Sequence, residues 1–250
     1  MAKKYILQDL PKCEDCVIRN SSLFGEIETS HLDNVRSLRT SQITFNTGDY
    51  IYHEGDMPAQ AYTLQQGWIC LFKTFEDGSR QILNFALPGE FLNYKLSNDP
   101  LDHSAIAQTD ITLCVFPLDL FKSVLSELPE LSMAISSLTE ISIERCYSAL
   151  ASTASSNAEV KVAYLLLSLY VREMSLKQDE SNSVYLPITQ VDIGDALGLT
   201  SVHVSRVFKS LQTKGLINYQ NRNLCVPNEE NLAKVANVSL EEFKKLLLVV

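Results

Sequence analysis

Two groups of residues stand at spacings that chemistry uses. The first lies in LGLTSVHVSRVFKSLQTKGLI, residues 197–217. Read as a helix starting near Ser201, it places Val204, Val207, Phe208 and Leu211 on one side at core spacing. Val202, Ser205, Arg206 and Lys209 fall on the other side, with Ser201 and His203 flanking them near the start. An arginine so placed can fork onto a guanine edge, a serine can reach a base or a phosphate, and a lysine can pair with a phosphate. Thr200 is positioned to cap the helix, whose free N–H groups and positive dipole end suit a phosphate. The second group is Cys13 and Cys16, a C-x-x-C in a polar segment, a spacing that serves metal ligation or thiol redox chemistry.

Other chemistries lack their residues. The histidines are His31, His53, His103 and His203, and none is paired at ligand spacing. The sequence contains no nucleophile elbow, no phosphate-binding glycine loop and no H-E-x-x-H. An enzyme is therefore not expected, and a metal- or ligand-binding β-barrel protein, enzyme or adaptor, stands as the alternative.

The elements that must hold the first group are legible around it. Residues 157–174 read as a helix, followed by a polar loop at 177–183. Thr189 with Asp192 three residues on makes a capping-box start, Ile193, Ala196 and Leu197 face inward, and Gly198 is placed to end the helix with a positive φ. Two short helices joined by a tight glycine turn form the helix-turn-helix of major-groove readers. LINY, the turn QNRN and LCVP then add a hairpin, which makes a winged version. An ordinary helical hairpin with solvated charges would need capping, turn, spacing and wing to coincide by accident.

Upstream the texture differs. From Ser41 to Pro117, short alternating segments are broken by Gly48-Asp49, Gly55-Asp56, Gly67, Asp77-Gly78 and Pro88-Gly89, the pattern of a β-barrel or jelly-roll-like sheet. From Leu118 the chain reads as helical, with Leu131, Ile135, Leu138, Ile141 and Leu150 on or near one stripe of a helix of about 20 residues. Such a stripe either packs on a partner helix from a second copy or covers the β-domain of its own chain.

The bulk numbers set limits. A chain of 250 residues, 46% hydrophobic and 20% charged, is globular and large enough for two domains. A net charge of −9 argues against indiscriminate binding of nucleic acid, yet Arg206, Lys209, Lys214 and Arg222 outnumber Asp192 and Asp195 across residues 189–225. The longest apolar run, VAYLLLSLY, is too short to span a bilayer, and MAKKYILQDL lacks the pattern of a signal peptide, so a cytoplasmic location without a membrane partner is expected. Disulfides are not expected there, and Cys70, Cys114, Cys146 and Cys225 read as small buried hydrophobes.

DIGDALGLTSVHVSRVFKSLQTKGLI, supported by TGDYIYHEGD, DGSRQILNFALPGEF and LCVFP, resembles the Crp/Fnr superfamily of bacterial transcription regulators, closer to the Fnr/FixK-like branch than to the cAMP receptor. The likeness covers nearly the whole chain. It implies an α+β fold: a leader at 1–22, a cyclic-nucleotide-binding-like β-roll at 23–118, a long dimerisation helix at 119–155 and a winged helix-turn-helix at 156–250. It also implies a homodimer that binds palindromic sites on double-stranded DNA and touches RNA polymerase.

The departures from the family pattern are specific. Many members carry a glutamate on the recognition helix that reads a cytosine amino group, and Val202 stands at the matching position. Valine can pack on a thymine methyl but accepts no hydrogen bond, so the preferred half-site should differ from the usual TTGA type there. Ser205 and Arg206 match the family's reading pair. Where cyclic-nucleotide binders carry Gly-Glu and Arg-Ser, this chain carries Asn93 and Tyr94, and His103 and Ser104. A neutral histidine replaces a bidentate guanidinium poorly, so cAMP is not the expected effector, and these residues either line a pocket for another ligand or fill the roll. Oxygen-sensing relatives hold a [4Fe–4S] iron–sulfur cluster with four cysteines. Cys13, Cys16 and Cys114 resemble three of them, and Ser22 stands near the place of the fourth. The same leader resembles a C-x-x-C-x-x-R version found in members without a cluster, in which the cysteines are structural or redox-active and Arg19 makes a structural contact.

Overall fold

A computed structural model describes residues 38–97, 99–177 and 181–248, together with 3–5 in backbone, 16, 18–19 and 22–25. The chain forms two compact units that divide between Glu140 and Ile141.

The first unit is a two-sheet roll. One sheet has the order β1 (Lys3–Tyr5), β2 (Ser41–Phe45), β9 (Ile111–Pro117), β4 (Gln60–Gln66), β7 (Phe91–Leu92), and the other β3 (Tyr50–Tyr52), β8 (Ser104–Ala107), β5 (Ile69–Thr74), β6 (Arg80–Ala86). All described pairings are antiparallel. The turn residues act as expected: Asp77 accepts from the backbone N–H and hydroxyl of Ser79 (2.8 and 2.6 Å), and Gly78 takes a φ of 81° that other residues resist. AIAQTDITLCVFP contributes two strands, β8 and β9, which lie in different sheets.

Alternation along the strands separates two cores. Ile43, Leu64, Ile69, Leu113 and Val115 belong to one cluster, and Phe91, Cys114 and Phe116 to another. In the second, the Phe91 ring lies 5.9, 5.8 and 5.3 Å from those of Phe24, Phe116 and Phe121. Phe121 sits on α1 (Leu118–Leu125), and Leu131 and Ile135 on α2 (Pro129–Thr153) join the same cluster. The helical stretch after Leu118 is thus two helices rather than one. Pro129 opens the second, where its missing N–H costs nothing. The expected apolar stripe also divides: Leu131 and Ile135 are buried against the roll with Leu138 packed on the same cluster, Ile141 is half-buried and Leu150 is exposed, as are Met133, Ile143 and Tyr147, which lie outside that stripe. Cys146, on that exposed stretch, is exposed and Cys225 half-buried, so only Cys70 and Cys114 are the buried cysteines expected.

The second unit is built on α3 (Ala158–Leu176), whose Val162, Ala163, Leu166, Leu167 and Tyr170 are buried. Around it lie β10 (Ser183–Tyr185), α4 (Gln190–Leu197), α5 (Ser201–Thr213), β11 (Asn218–Gln220), β12 (Asn223–Cys225), α6 (Glu229–Ala236) and α7 (Leu240–Leu248).

Candidate nucleic-acid interface

Local chemistry sets α4 and α5 at their angle. Thr189 and Asp192 form the reciprocal cap: the Asp192 N–H donates to the threonine hydroxyl (3.1 Å) and the Thr189 N–H donates to the Asp192 carboxylate (2.8 Å). Gly198 ends α4 in the left-handed region (φ 65°), and the Leu199 N–H returns to the Gly194 carbonyl (3.0 Å). Gly194 does a second job that its sequence context does not announce. A Cβ there would stand 2.4 Å from the Leu199 carbonyl oxygen, so only glycine lets the turn close. Thr200 then caps α5 by accepting from the His203 N–H (3.2 Å).

On α5, Val204, Val207, Phe208 and Leu211 are buried, as the spacing predicts. Val202 is 60% exposed. His203, Ser205, Arg206 and Lys209 are exposed too, and Ser201 is half-buried. Thr200, Val202, His203 and Arg206 share an open groove of about 590 Å³ with Asn157 and Glu159 at the start of α3. Lys214 leaves the basic face, because its ammonium pairs with Glu159 at 2.6 Å. The free positive charge expected between residues 189 and 225 is correspondingly smaller.

The wing follows. β11 and β12 pair through a two-residue turn, Asn221 and Arg222, with φ of 49° and 64°, the mirror-image turn that matches strand twist. The wing is tied to α5: the Tyr219 N–H donates to the Gln212 side chain (3.2 Å), and the Tyr219 ring meets that of Phe208 edge-on at 5.0 Å. β10 adds a third strand beside β12, overlapping the expected loop at 177–183 only at Ser183.

In the roll, the four residues at the effector positions are each engaged within the chain. Asn93, at a φ of 54°, donates to the Gln60 carbonyl (2.7 Å), and Tyr94 stacks on Phe91 in the second cluster. His103 instead bridges the Tyr52 hydroxyl (3.0 Å) and the Asp102 carboxylate (2.8 Å), and the Ser104 hydroxyl accepts from the Glu54 N–H (2.9 Å). Burial, then the neighbouring Tyr62 and Asp102, push the Tyr52 phenol well above its ordinary pKa. Its hydrogen bond to His103 holds Asp102 below the usual carboxylate value.

For the iron–sulfur cluster, Cys13 lies outside the described residues, Cys16 is half-buried and Cys114 buried. The Cys114 sulfur accepts from the Gln42 amide (3.5 Å) and faces the Arg39 guanidinium (4.0 Å). The Ser22 hydroxyl donates to the Arg19 carbonyl (2.8 Å) and accepts from the Phe24 N–H (3.4 Å), which makes it part of a turn. Among the described residues, no three His, Cys, Asp or Glu side chains are grouped as a metal would need.

Comparison with known proteins agrees with this geometry. Residues 42–127 match the cyclic nucleotide-binding domain and residues 160–235 the Crp-like helix-turn-helix domain. The nitrogen fixation regulation protein FixK of Bradyrhizobium diazoefficiens is 34% identical over 205 residues, 82% of this chain and 85% of that one. The transcriptional activator protein FnrL of Cereibacter sphaeroides is 26% identical, covering 83% and 84%. The solved structure of FixK2 from Bradyrhizobium japonicum superposes with a TM-score of 0.71 at 23% identity, over 80% of this chain and 98% of that one, and supports the fold. The two domain matches and the identity to FixK together establish that this chain belongs to the Crp/Fnr family of DNA-binding transcription regulators.

Proposed function

We propose that the protein acts in the cytoplasm as a homodimer that sets two copies of α5 into successive major grooves of a palindromic promoter site, one helical turn apart. Arg206 forks onto a guanine, Val202 packs on a thymine methyl, Ser205 contacts a base or phosphate, and Lys209 takes a phosphate. Thr200, Ser201 and His203 stand by the helix N-terminus, where the backbone N–H groups suit a further phosphate. The observation that carries this reading is the solvent-facing set Val202, Ser205, Arg206 and Lys209 on a helix whose opposite side is wholly buried and whose start is capped. The leader, roll, long helix and reading domain correspond to residues 1–22, 23–118, 119–155 and 156–250. A promoter-bound dimer of this kind also presents its roll and reading domain to RNA polymerase.

Cyclic nucleotides are not the signal in this reading. At the positions where binders hold phosphate and ribose, Ser104, His103 and Asn93 are already committed to Glu54, Tyr52 and Gln60. Selection of bound fragments from random DNA tests the proposal. The expected product is a two-fold-symmetric site that keeps a guanine in each half and departs from TTGA where a glutamate would read cytosine. Recovery of the unaltered TTGA half-site, or of no preferred sequence, would overturn it.

A further inference from the structure

α7 lies beyond the matched helix-turn-helix domain, which ends at residue 235, and it is fastened to the long helix. From α2, the Arg145 guanidinium donates to two successive carbonyls in the last turn of α7: Nε to Leu246 (3.0 Å) and Nη2 to Leu247 (2.8 Å). Last-turn carbonyls have no partner inside their own helix, and a cation suits the negative end of the helix dipole. A planar guanidinium can span two such oxygens at once, whereas an ammonium cannot. The body of α7 lies on α3. Phe243 and Leu247 are buried, and the Phe243 ring meets Tyr164 of α3 at 5.0 Å, nearly edge-on. Tyr164 in turn donates its hydroxyl to Ser148 of α2 (2.8 Å), and Lys244 pairs with Glu229 of α6.

The covalent path from α2 to α3 is short and bendable, the four residues 154–157. One such link fixes a distance but leaves the following domain free to swing about its backbone dihedrals. The Tyr164–Ser148 bond adds one further tie, and Arg145 adds another nine residues before Ala154, about 13 Å along the helix. Attachments that far apart define an orientation. α3 carries α5, so the orientation of α3 on α2 sets where the reading helix points.

We infer that Arg145 is a positioning residue for operator recognition: by clamping α7 to α2 it fixes how the reading domain sits on the end of the long helix, and so the half-site spacing that the dimer accepts. The inference rests on the dimeric reading above. The full-length protein and an R145Q variant would be titrated by fluorescence anisotropy against the selected palindrome, the same palindrome with its centre lengthened or shortened by one base pair, and a single half-site. A second variant ending after residue 239 removes the strap entirely, and circular-dichroism melts record folding.

The expected result has three parts. Both variants bind the half-site within about twofold of wild type, lose about 5- to 50-fold on the optimal palindrome, and show a flattened preference among spacings. R145K falls between wild type and R145Q. Equal losses on half-site and palindrome would mean that the clamp only holds the domain folded, and would overturn the inference. So would an unchanged spacing profile in a wild type that is itself sensitive to spacing. A wild type that binds the palindrome no tighter than a half-site would overturn the dimeric reading, and this inference with it.

Discussion

At the scale of single residues, recognition as proposed is divided between Val202 and Arg206 by what each can and cannot bond. The guanidinium brings paired donors that match the two acceptors of a guanine, while valine brings only a methyl-sized surface. Replacing Arg206 with alanine should therefore weaken operator binding by about 1–3 kcal/mol and relax selection at the guanine. Replacing Lys209 with alanine should weaken binding to all sequences alike and reduce the salt slope by about one, which anisotropy titrations over a salt series would separate from the Arg206 effect. Val202→Glu should do something different in kind. A carboxylate one turn before Arg206 can accept from a cytosine amino group, so the selected half-site should shift to include that cytosine, with little change in overall affinity. If Val202→Glu selects the same sequences as wild type, Val202 does not face the bases.

At the scale of elements, the helix-turn-helix shows what a sequence can and cannot announce. Thr189, Asp192, Gly198 and Thr200 act on residues three or four positions away, so their roles follow from spacing alone, and each is found doing what the spacing implies. Gly194 differs, because its constraint comes from the Leu199 carbonyl after the chain has turned back. The strand Ser183–Tyr185 was hidden likewise, since three residues become a strand only beside Asn223–Cys225. The roll positions show a third case. Asn93 and His103 drew attention as departures from a family pattern, but that pattern could not say that one meets Gln60 and the other Tyr52.

These differences are testable. Thr189→Ala should cost about 0.5–2 kcal/mol in a urea melt through loss of the cap. Gly194→Ala would gain about 1 kcal/mol of helix propensity on an open helix. Here the new methyl meets a backbone oxygen that cannot move without opening the turn, so net destabilisation by about 1–3 kcal/mol is expected, with DNA binding reduced further than stability. A stabilised Gly194→Ala protein would show that the turn has room to adjust.

At the scale of the whole molecule, the long helix carries two sets of apolar residues with different surroundings. Leu131 and Ile135 belong to the roll's own core, whereas Ile143, Tyr147 and Leu150, spaced four and three apart, leave a large apolar strip in water. In the dimeric reading proposed above, a second copy of the same helix, related by a two-fold axis, would cover such a strip with its own equivalent and join two reading heads at one spacing. The net charge of −9 makes that pairing matter more. A body of that charge is repelled by phosphate, so one reading face gains little from non-specific attraction and tight binding depends on two faces engaging together. Leu150→Glu places a charge in the strip without touching either core. It should leave the thermal unfolding of the roll unchanged, shift the protein to monomer in sedimentation equilibrium, and bring palindrome affinity down to that of a single half-site. A Leu150→Glu protein that sediments as a dimer and still favours the palindrome would place the seam on another face of the helix.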